Sequence, residues 1–485
     1  MASPSLLVGI DIGTSGTKAV LTDRAGRVLR VATRSHRPSH PGPGLAEHDP
    51  EATWWEPTVS LLRELCREDA ANVAGIAVSG LGPCALVTDA AGRSLRPAIL
   101  YAIDTRNLAQ IEQMRRALDT SDPRAARLTT QSVGPKLLWI RDVEPDLWQR
   151  ARRVFTSHSY VAYRLSGAYQ LDRVSASWWD PLVDDAGTRW IPAEQQRWFP
   201  TLEWPDLVEP SAVVGVLQPQ AADTVGLPAG TAVHAGTIDY AAQVLGTGAT
   251  EPGDTVVVFG STLSVNLATT GAVSVPGLQN SPAPLPGQWY LGGVTASAGS
   301  LLNWVRQLAG DLEFGQLEQA ATRVPAGSDG VLLLPYFAGE RSPLDDPRLR
   351  GVISGLDLSH GVGHLYRAAL EAIGYSLRHI LDQLGDRRPA SILATGGGTA
   401  SALLMQVVAD IAAVEIRVDT NPHAAAVGTA MLAGAVPTGV AGQARIFTPD
   451  PRRTKCYAEL FQLYRELGDA TTPISHQLSK LPVTN

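Results

Sequence analysis

Cysteine is scarce. Three residues, Cys66, Cys84 and Cys456, stand far apart among 485, with no CxxC pair. An odd, scattered set builds neither a disulfide framework nor a thiolate metal site, and it suits a reducing, cytoplasmic setting. No apolar stretch reaches the ~20 residues of a membrane-spanning helix. The opening MASPSLLVGID has no basic segment ahead of its apolar run, so a secretory signal is not expected. A positive excess is also missing. The formal net charge of −7 disfavours nucleic acid or an anionic membrane as the main partner, although a local loop can oppose the global sign and take a small anion. The ten histidines include no HExxH or paired-ligand spacing. His48, His158, His234 and His423 are read as structural. No GxxxxGK[ST] occurs, which excludes a P-loop nucleotide site.

What is present describes a large mixed-layer protein. The length suffices for two or more domains, and 44% apolar with 18% charged residues is ordinary for a globular chain. The first chemically suggestive stretch is LLVGIDIGTSGTKAV at 6–20. Leu6, Leu7, Val8 and Ile10 are strand formers. Gly13 and Gly16 allow a tight reversal, Thr14, Ser15 and Thr17 bring hydroxyls, and Lys18 brings a positive charge. Strand, small polar loop and returning strand make a hairpin. Its tip is either an ordinary turn or a cradle of backbone N–H groups for phosphate. A third strand is expected after the turn at Ala25-Gly26, then a helix over PEATWWEPTVSLLRELCRE (50–68), a buried strand VAGIAVSG (73–80), a hairpin over LVTDAAGRSLRPAILY (86–101) and a helix over TRNLAQIEQMRRAL (105–118). That order points to a mixed α/β layer.

The opening returns half a chain later. DTVVVFGSTLSVNLATT (254–270) is again strand, Gly260-Ser261-Thr262, strand. Two such hairpins are either coincidence or the mark of two related domains, each with a phosphate hairpin, facing one another; duplication is the reading taken here. A third glycine site, SILATGGGTASALLMQVVADIAA (391–413), predicts a strand, Gly396 to Gly398, and a helix with Ser401 in its first turn. Such a turn suits an anion or a flat ligand, and equally suits plain packing. The helix expected over 364–384 carries a stripe from Leu365 to Leu384, with Gly385 as its stop, and is assigned to the core.

In this order the pieces resemble the FGGY carbohydrate kinases along nearly the whole chain. GIDIGTSGTK (9–18) is similar to that family's first phosphate motif, VVVFGSTLSV (256–265) to its second and TGGGTAS (395–401) to its adenosine motif. HDPEATWWE (48–56), RPAILY (96–101), PKLLW (135–139), YFAGERSPLDDP (336–347) and GVISGLDLSHGVGHLYRAALE (351–371) match further signatures. The resemblance implies an α/β protein of two ribonuclease H-like, actin-like ATPase domains with a cleft between them. Residues 1–247 would form the sugar-binding domain with the first phosphate hairpin, and 248–485 the nucleotide-binding domain. It implies ATP as phosphoryl donor and Mg²⁺ as cofactor, with Asp11 holding the metal through water. Gly13, Thr14, Ser15 and Lys18 would face the phosphates, although Lys18 is equally readable as merely exposed. Gly260, Ser261 and Thr262 would hold the other side of the triphosphate, and Gly397, Gly398 and Ser401 would border the adenosine.

The acceptor base is assigned to Asp239, in HAGTIDYAAQVLGTG (234–248). On local grounds it is a helix N-cap; the resemblance places the family's catalytic Asp here, and a helix start can do both. The substrate side departs from xylulose kinases. Their G-Q-M-H-G becomes SGLGPC, so Gly82 and Pro83 replace a Met-His pair that touches sugar, and neither has a side-chain donor or acceptor. Tyr240 follows the base in place of Asn or Gln. W-x-D-x-R becomes Y-A-I-D-T-R, with Tyr101, Asp104 and Arg106. These residues, with Trp178 and Trp179, are candidates for a reshaped pocket; ordinary packing is the alternative, above all for the two tryptophans, and Arg106 is equally readable as the partner of Asp104 or a neighbouring acid. The expected activity is phosphorylation of a ketose (a pentulose such as xylulose, or a hexulose) or a polyol. A homodimer is compatible with it. The competing readings are an ATPase of the actin or heat-shock chaperone class and a sugar-sensing pseudokinase.

Overall fold

The computed structural model describes residues 4–101, 103–119, 122–419, 421–436 and 444–480. Within them the chain forms two compact α/β units. The first lies within Met1–Gly248, Ser281–Gln288 and Pro422–Gly439, and the second within Ala249–Asn280, Trp289–Asn421 and Val440–Asn485.

The first unit is built on a sheet of β1 (Leu6–Ile12), β2 (Gly16–Thr22), β3 (Val28–Ser35), β4 (Val73–Gly80), β5 (Val213–Val216), β6 (Ala232–His234) and β7 (Thr237–Ile238). The order is β5-β6-β4-β1-β2-β3, with β7 also on β4. β1 is antiparallel to β2 and parallel to β4. Helices cover both faces of β1, so its apolar residues run on without strict alternation. β3 is the edge, and it carries Arg30 and Arg34, which pair with Asp69 and Glu64. Charge on an edge strand discourages further pairing.

The second unit repeats the plan with β8 (Thr255–Phe259), β9 (Leu263–Thr269), β10 (Trp289–Val294), β11 (Ser391–Thr395), β12 (Glu415–Val418) and β13 (Arg445–Phe447). Its strands run in the order β10-β9-β8-β11-β12-β13. Read outward from the hairpin, β3-β2-β1-β4-β6 and β10-β9-β8-β11-β12 have the same sequence of antiparallel and parallel neighbours. Two copies of one plan would look this way. The Val362–Gln383 helix is the spine of the second core, burying Leu370, Ile373, Leu377 and Ile380, and Gly385 follows it with φ +57°.

Two local expectations changed. The helix over 50–68 begins as a π-helical turn, Glu51–Trp55, before the α-helix Glu56–Leu65. Pro57 has no N–H to close an α-helical bond at that point. The hairpin over 86–101 is joined only by isolated bridges. Its strands find other partners, Leu86–Thr88 with Arg153–Phe155 and Ala98–Ile99 with Glu47–His48. Among the described residues no helix is long and apolar enough to cross a membrane.

Candidate active site

The first hairpin closes through the Gly13 N–H to the Gly16 carbonyl at 2.9 Å, leaving Gly13, Thr14 and Ser15 as its tip with Ser15 exposed. Strand register then sets the carboxylates. Asp11 pairs with Ser79 across β1 and β4, and Ser79 pairs with Thr237 across β4 and β7. These three strands are parallel, so Asp239, two residues beyond Thr237, emerges at the same strand ends as Asp11. Asp239 is the first residue of the Asp239–Gly246 helix, and Ile238 is the N-cap. Asp239 Oδ1 accepts the Tyr240 N–H at 2.7 Å, as the first helical residue and not the N-cap expected from the sequence.

Hydroxyls and backbone hold this arrangement. Ser79 Oγ donates to Asp11 Oδ1 at 2.9 Å, and Thr429 Oγ1 donates to Ser79 Oγ at 2.7 Å. Thr14 Oγ1 and Tyr101 Oη are 2.8 Å apart. Behind β7, Thr237 donates to the fully buried Asp172 at 2.8 Å, whose other oxygen meets His158 Nε2 at 2.9 Å. Burial pushes the Asp11 carboxyl up to about 6, against the Ser79 hydrogen bond and the Lys18 charge. Burial and then the Asp11 charge push Asp239 up to about 8. Lys18 is exposed and sits opposite Asp11 in the hairpin.

This donor set fits a hydrated divalent cation. Two like carboxylates stand at the same end of the sheet, and a cation would relieve their repulsion. Among the described residues no group of three or more His, Cys, Asp or Glu side chains could enclose a metal. A cation here would complete its shell with water and phosphate oxygens, as Mg²⁺ commonly does.

The residues expected on the substrate side divide. Gly82 is half-buried and faces Ile238, while Pro83 is buried. Tyr240 lies edge-on to Trp178 at 6.3 Å and donates to Ser281 Oγ at 3.4 Å. Together with Val174, Ile238 and Ala241 they form a small apolar cluster beside Asp239. Trp179 is fully buried against Trp190 and Trp204 and serves packing. Asp104 and Arg106 also take another role. Asp104 is fully buried, accepts the Ala46 N–H at 2.7 Å and clasps Arg106, which reaches on to Glu47 and lies over Trp139. A buried pair whose polar atoms are already matched has little left for a sugar.

In the second unit the hairpin closes through Gly260 N–H to the Thr262 carbonyl at 2.9 Å, with Gly260 and Ser261 exposed. Their carbonyls accept N–H groups of Ala298, Gly299 and Ser300 at the start of the Gly299–Leu308 helix. Gly396 has φ +96°, and a Cβ there would stand 2.7 Å from the Phe259 carbonyl oxygen. Gly398 likewise packs on Phe259, whereas Gly397 is exposed and faces open space. Ser401 is the N-cap of the Ala402–Ala412 helix, accepting the Leu404 N–H at 3.0 Å. The sequence reading missed Ser79, Thr429 and Asp172. Ser79 lies inside a strand that reads as core, and the other two act from remote segments.

Residues 6–246 match the model of the FGGY family of carbohydrate kinases, N-terminal domain, and 255–436 that of its C-terminal domain. The chain is 30% identical over 448 residues to a xylulose kinase of Escherichia coli, covering 88% of this chain and 89% of that one. It is 29% identical over 462 residues to a glycerol kinase of Nocardia farcinica, with 88% and 89% covered. The crystal structure of xylulose kinase from Rhodospirillum rubrum has a TM-score of 0.85 and 32% identity, covering 97% of this chain and 100% of that one. The chain therefore belongs to the FGGY family of carbohydrate kinases, phosphotransferases that act on an alcohol group.

Proposed function

We propose that the protein transfers the γ-phosphoryl group of ATP to a hydroxyl of a ketose or polyol, with Asp239 as base. The observation that carries this reading is the Asp239 carboxylate at a helix start beside Asp11, raised to about 8. The ionised form of a carboxyl with a raised pKa is a stronger base than an ordinary Asp carboxylate, and a cation bound beside it would favour that ionised form. In the transfer, the acceptor hydroxyl oxygen forms its bond to the γ-phosphorus and its proton passes to Asp239. The bond from the γ-phosphorus to the bridging oxygen breaks, and ADP leaves.

Asp11 would hold Mg²⁺ through water, and the bound cation would neutralise charge on the phosphates. The N–H groups and hydroxyls of Gly13, Thr14 and Ser15, with Lys18, would bind phosphate oxygens. Gly260, Ser261 and Thr262 would do the same in the second unit, and Gly397 would lie flat against the adenosine, bordered by Gly398 and Ser401. For the acceptor, the xylulose kinases at 30% and 32% identity favour a pentulose, and the glycerol kinase at 29% keeps polyols in range. Gly82, Pro83, Tyr101 and Tyr240 would border it. The apolar cluster of Tyr240 and Trp178 favours an acceptor that presents C–H surface on that side.

ADP release with Mg-ATP, measured across ketoses, aldoses, polyols and sugar acids, tests the reading. One acceptor should raise the rate strongly, and Asp239→Ala should lower that rate about 10²–10⁴-fold. A flat panel with equal basal ATPase in both proteins would overturn it.

A further inference from the structure

His48 does more than fill space. Trp54 Nε1 lies 3.0 Å from His48 Nδ1, and His48 Nε2 lies 3.1 Å from the carbonyl oxygen of Thr14. An indole N–H only donates and a carbonyl only accepts. Between them these partners define the imidazole: Nδ1 is bare, Nε2 carries the proton and the ring is neutral. A second proton on Nδ1 would point at the indole N–H. Both side chains are fully buried. His36 stands edge-on to His48, ring centroids 5.2 Å apart, with its Nε2 3.2 Å from Thr17 Oγ1. Burial, and then the neighbouring His36, push the His48 pKa down to about 4, as the hydrogen-bond directions require.

The far end of this relay is the hairpin tip. In a trans peptide the N–H points opposite to the C=O. With the Thr14 carbonyl drawn toward His48, the Ser15 N–H of the same peptide points away from it, and Ser15 is exposed. Tyr101 Oη, 2.8 Å from Thr14 Oγ1, holds the same residue through its side chain.

We propose that His48, held as the Nε2–H tautomer by Trp54, is a positioning residue that fastens the Thr14 carbonyl and so aims the Ser15 N–H at the terminal phosphate of the nucleotide. This rests on the reading of the first hairpin as a phosphate loop. Gln keeps an N–H for Thr14 and a carbonyl for Trp54; Leu keeps neither. Trp54→Phe keeps the ring but frees the imidazole to change tautomer.

Steady-state kinetics of His48→Leu, His48→Gln, Trp54→Phe and Ser15→Pro, the last removing the N–H itself, test the proposal. His48→Leu should raise KM for Mg-ATP about tenfold, the worth of one hydrogen bond, with KM for the acceptor unchanged. His48→Gln should stay near wild type, and Trp54→Phe should fall between. Nitrogen NMR of the wild-type imidazole, which needs no variant, should show a neutral Nε2–H form from pH 5.5 to 8. An Nδ1–H form, an unmoved KM for Mg-ATP in His48→Leu, or a His48→Gln as impaired as His48→Leu would each overturn the role of His48. If Ser15→Pro also leaves KM for Mg-ATP unmoved, the phosphate-loop reading falls with it. If Ser15→Pro raises it alone, only His48 is excluded.

Discussion

Asp11 and Asp239 stand at the same end of two parallel strands that flank β4, so the charge of one opposes ionisation of the other. The consequence for stability has a definite sign. A carboxyl raised from 3.8 in the unfolded chain to about 8 in the folded one keeps a proton when folded that the unfolded chain has lost. Its contribution is most favourable below the unfolded value and is lost as pH rises toward 8. Asp239→Asn removes that penalty. Without nucleotide, the variant should exceed wild type in Tm by more at pH 8 than at pH 5, by thermal unfolding at both. An equal gap at the two pH values would show that Asp239 titrates as an ordinary carboxylate. The same scale separates the two readings that the sequence left open for Asp104 and Arg106. They match a substrate motif as letters, yet they clasp each other, with Arg106 over Trp139. Which carboxylate a guanidinium meets depends on neighbours brought from other segments, here Ala46 and Glu47.

At the scale of elements, both hairpins were legible because everything that makes them is local: apolar residues, a Gly/Ser/Thr tip, apolar residues again. The Gly396–Ser401 turn was legible as a turn, but Phe259 divides its glycines into packing and open positions. Small residues in YAAQVLG and AAAVGTA carry a further meaning visible only in contact. The Asp239–Gly246 and Ala424–Leu432 helices pack so closely that a Cβ on Gly428 would overlap the Ala242 carbonyl oxygen, and one on Gly246 the Ala424 carbonyl oxygen. The obstacle is backbone, which cannot swing aside. Gly428→Ala should cost about 1–3 kcal/mol in urea unfolding and lower kcat, because separating the helices moves the start of the one that carries Asp239. An unchanged midpoint would place the helices further apart than described.

At the scale of the molecule, the first unit is assembled from separated stretches of chain. The Ala424–Leu432 helix supplies Ala426, Val427, Ala430 and Leu432 to a core shared with Leu7, Val20, Ala77 and Leu245, and Thr429 reaches Asp11 through Ser79. A fragment of residues 1–248 alone should therefore expose that apolar patch and unfold without a cooperative transition by circular dichroism. Linking residues 422–439 to its C-terminus should restore one. A cooperative fragment without the segment would show that the helix is dispensable to the fold.

The sequence by itself determined the repeated hairpin with its Gly, Ser and Thr tips and the alternation of strands and helices, because these depend on neighbours a few positions apart. Tertiary structure decided which carboxylates stand together, that His48 is neutral with one tautomer, and, between readings the sequence left open, that Asp104 pairs with Arg106 and Trp179 packs. Those outcomes follow from strand register and burial, which bring separate segments together and set the electrostatic cost of each charge.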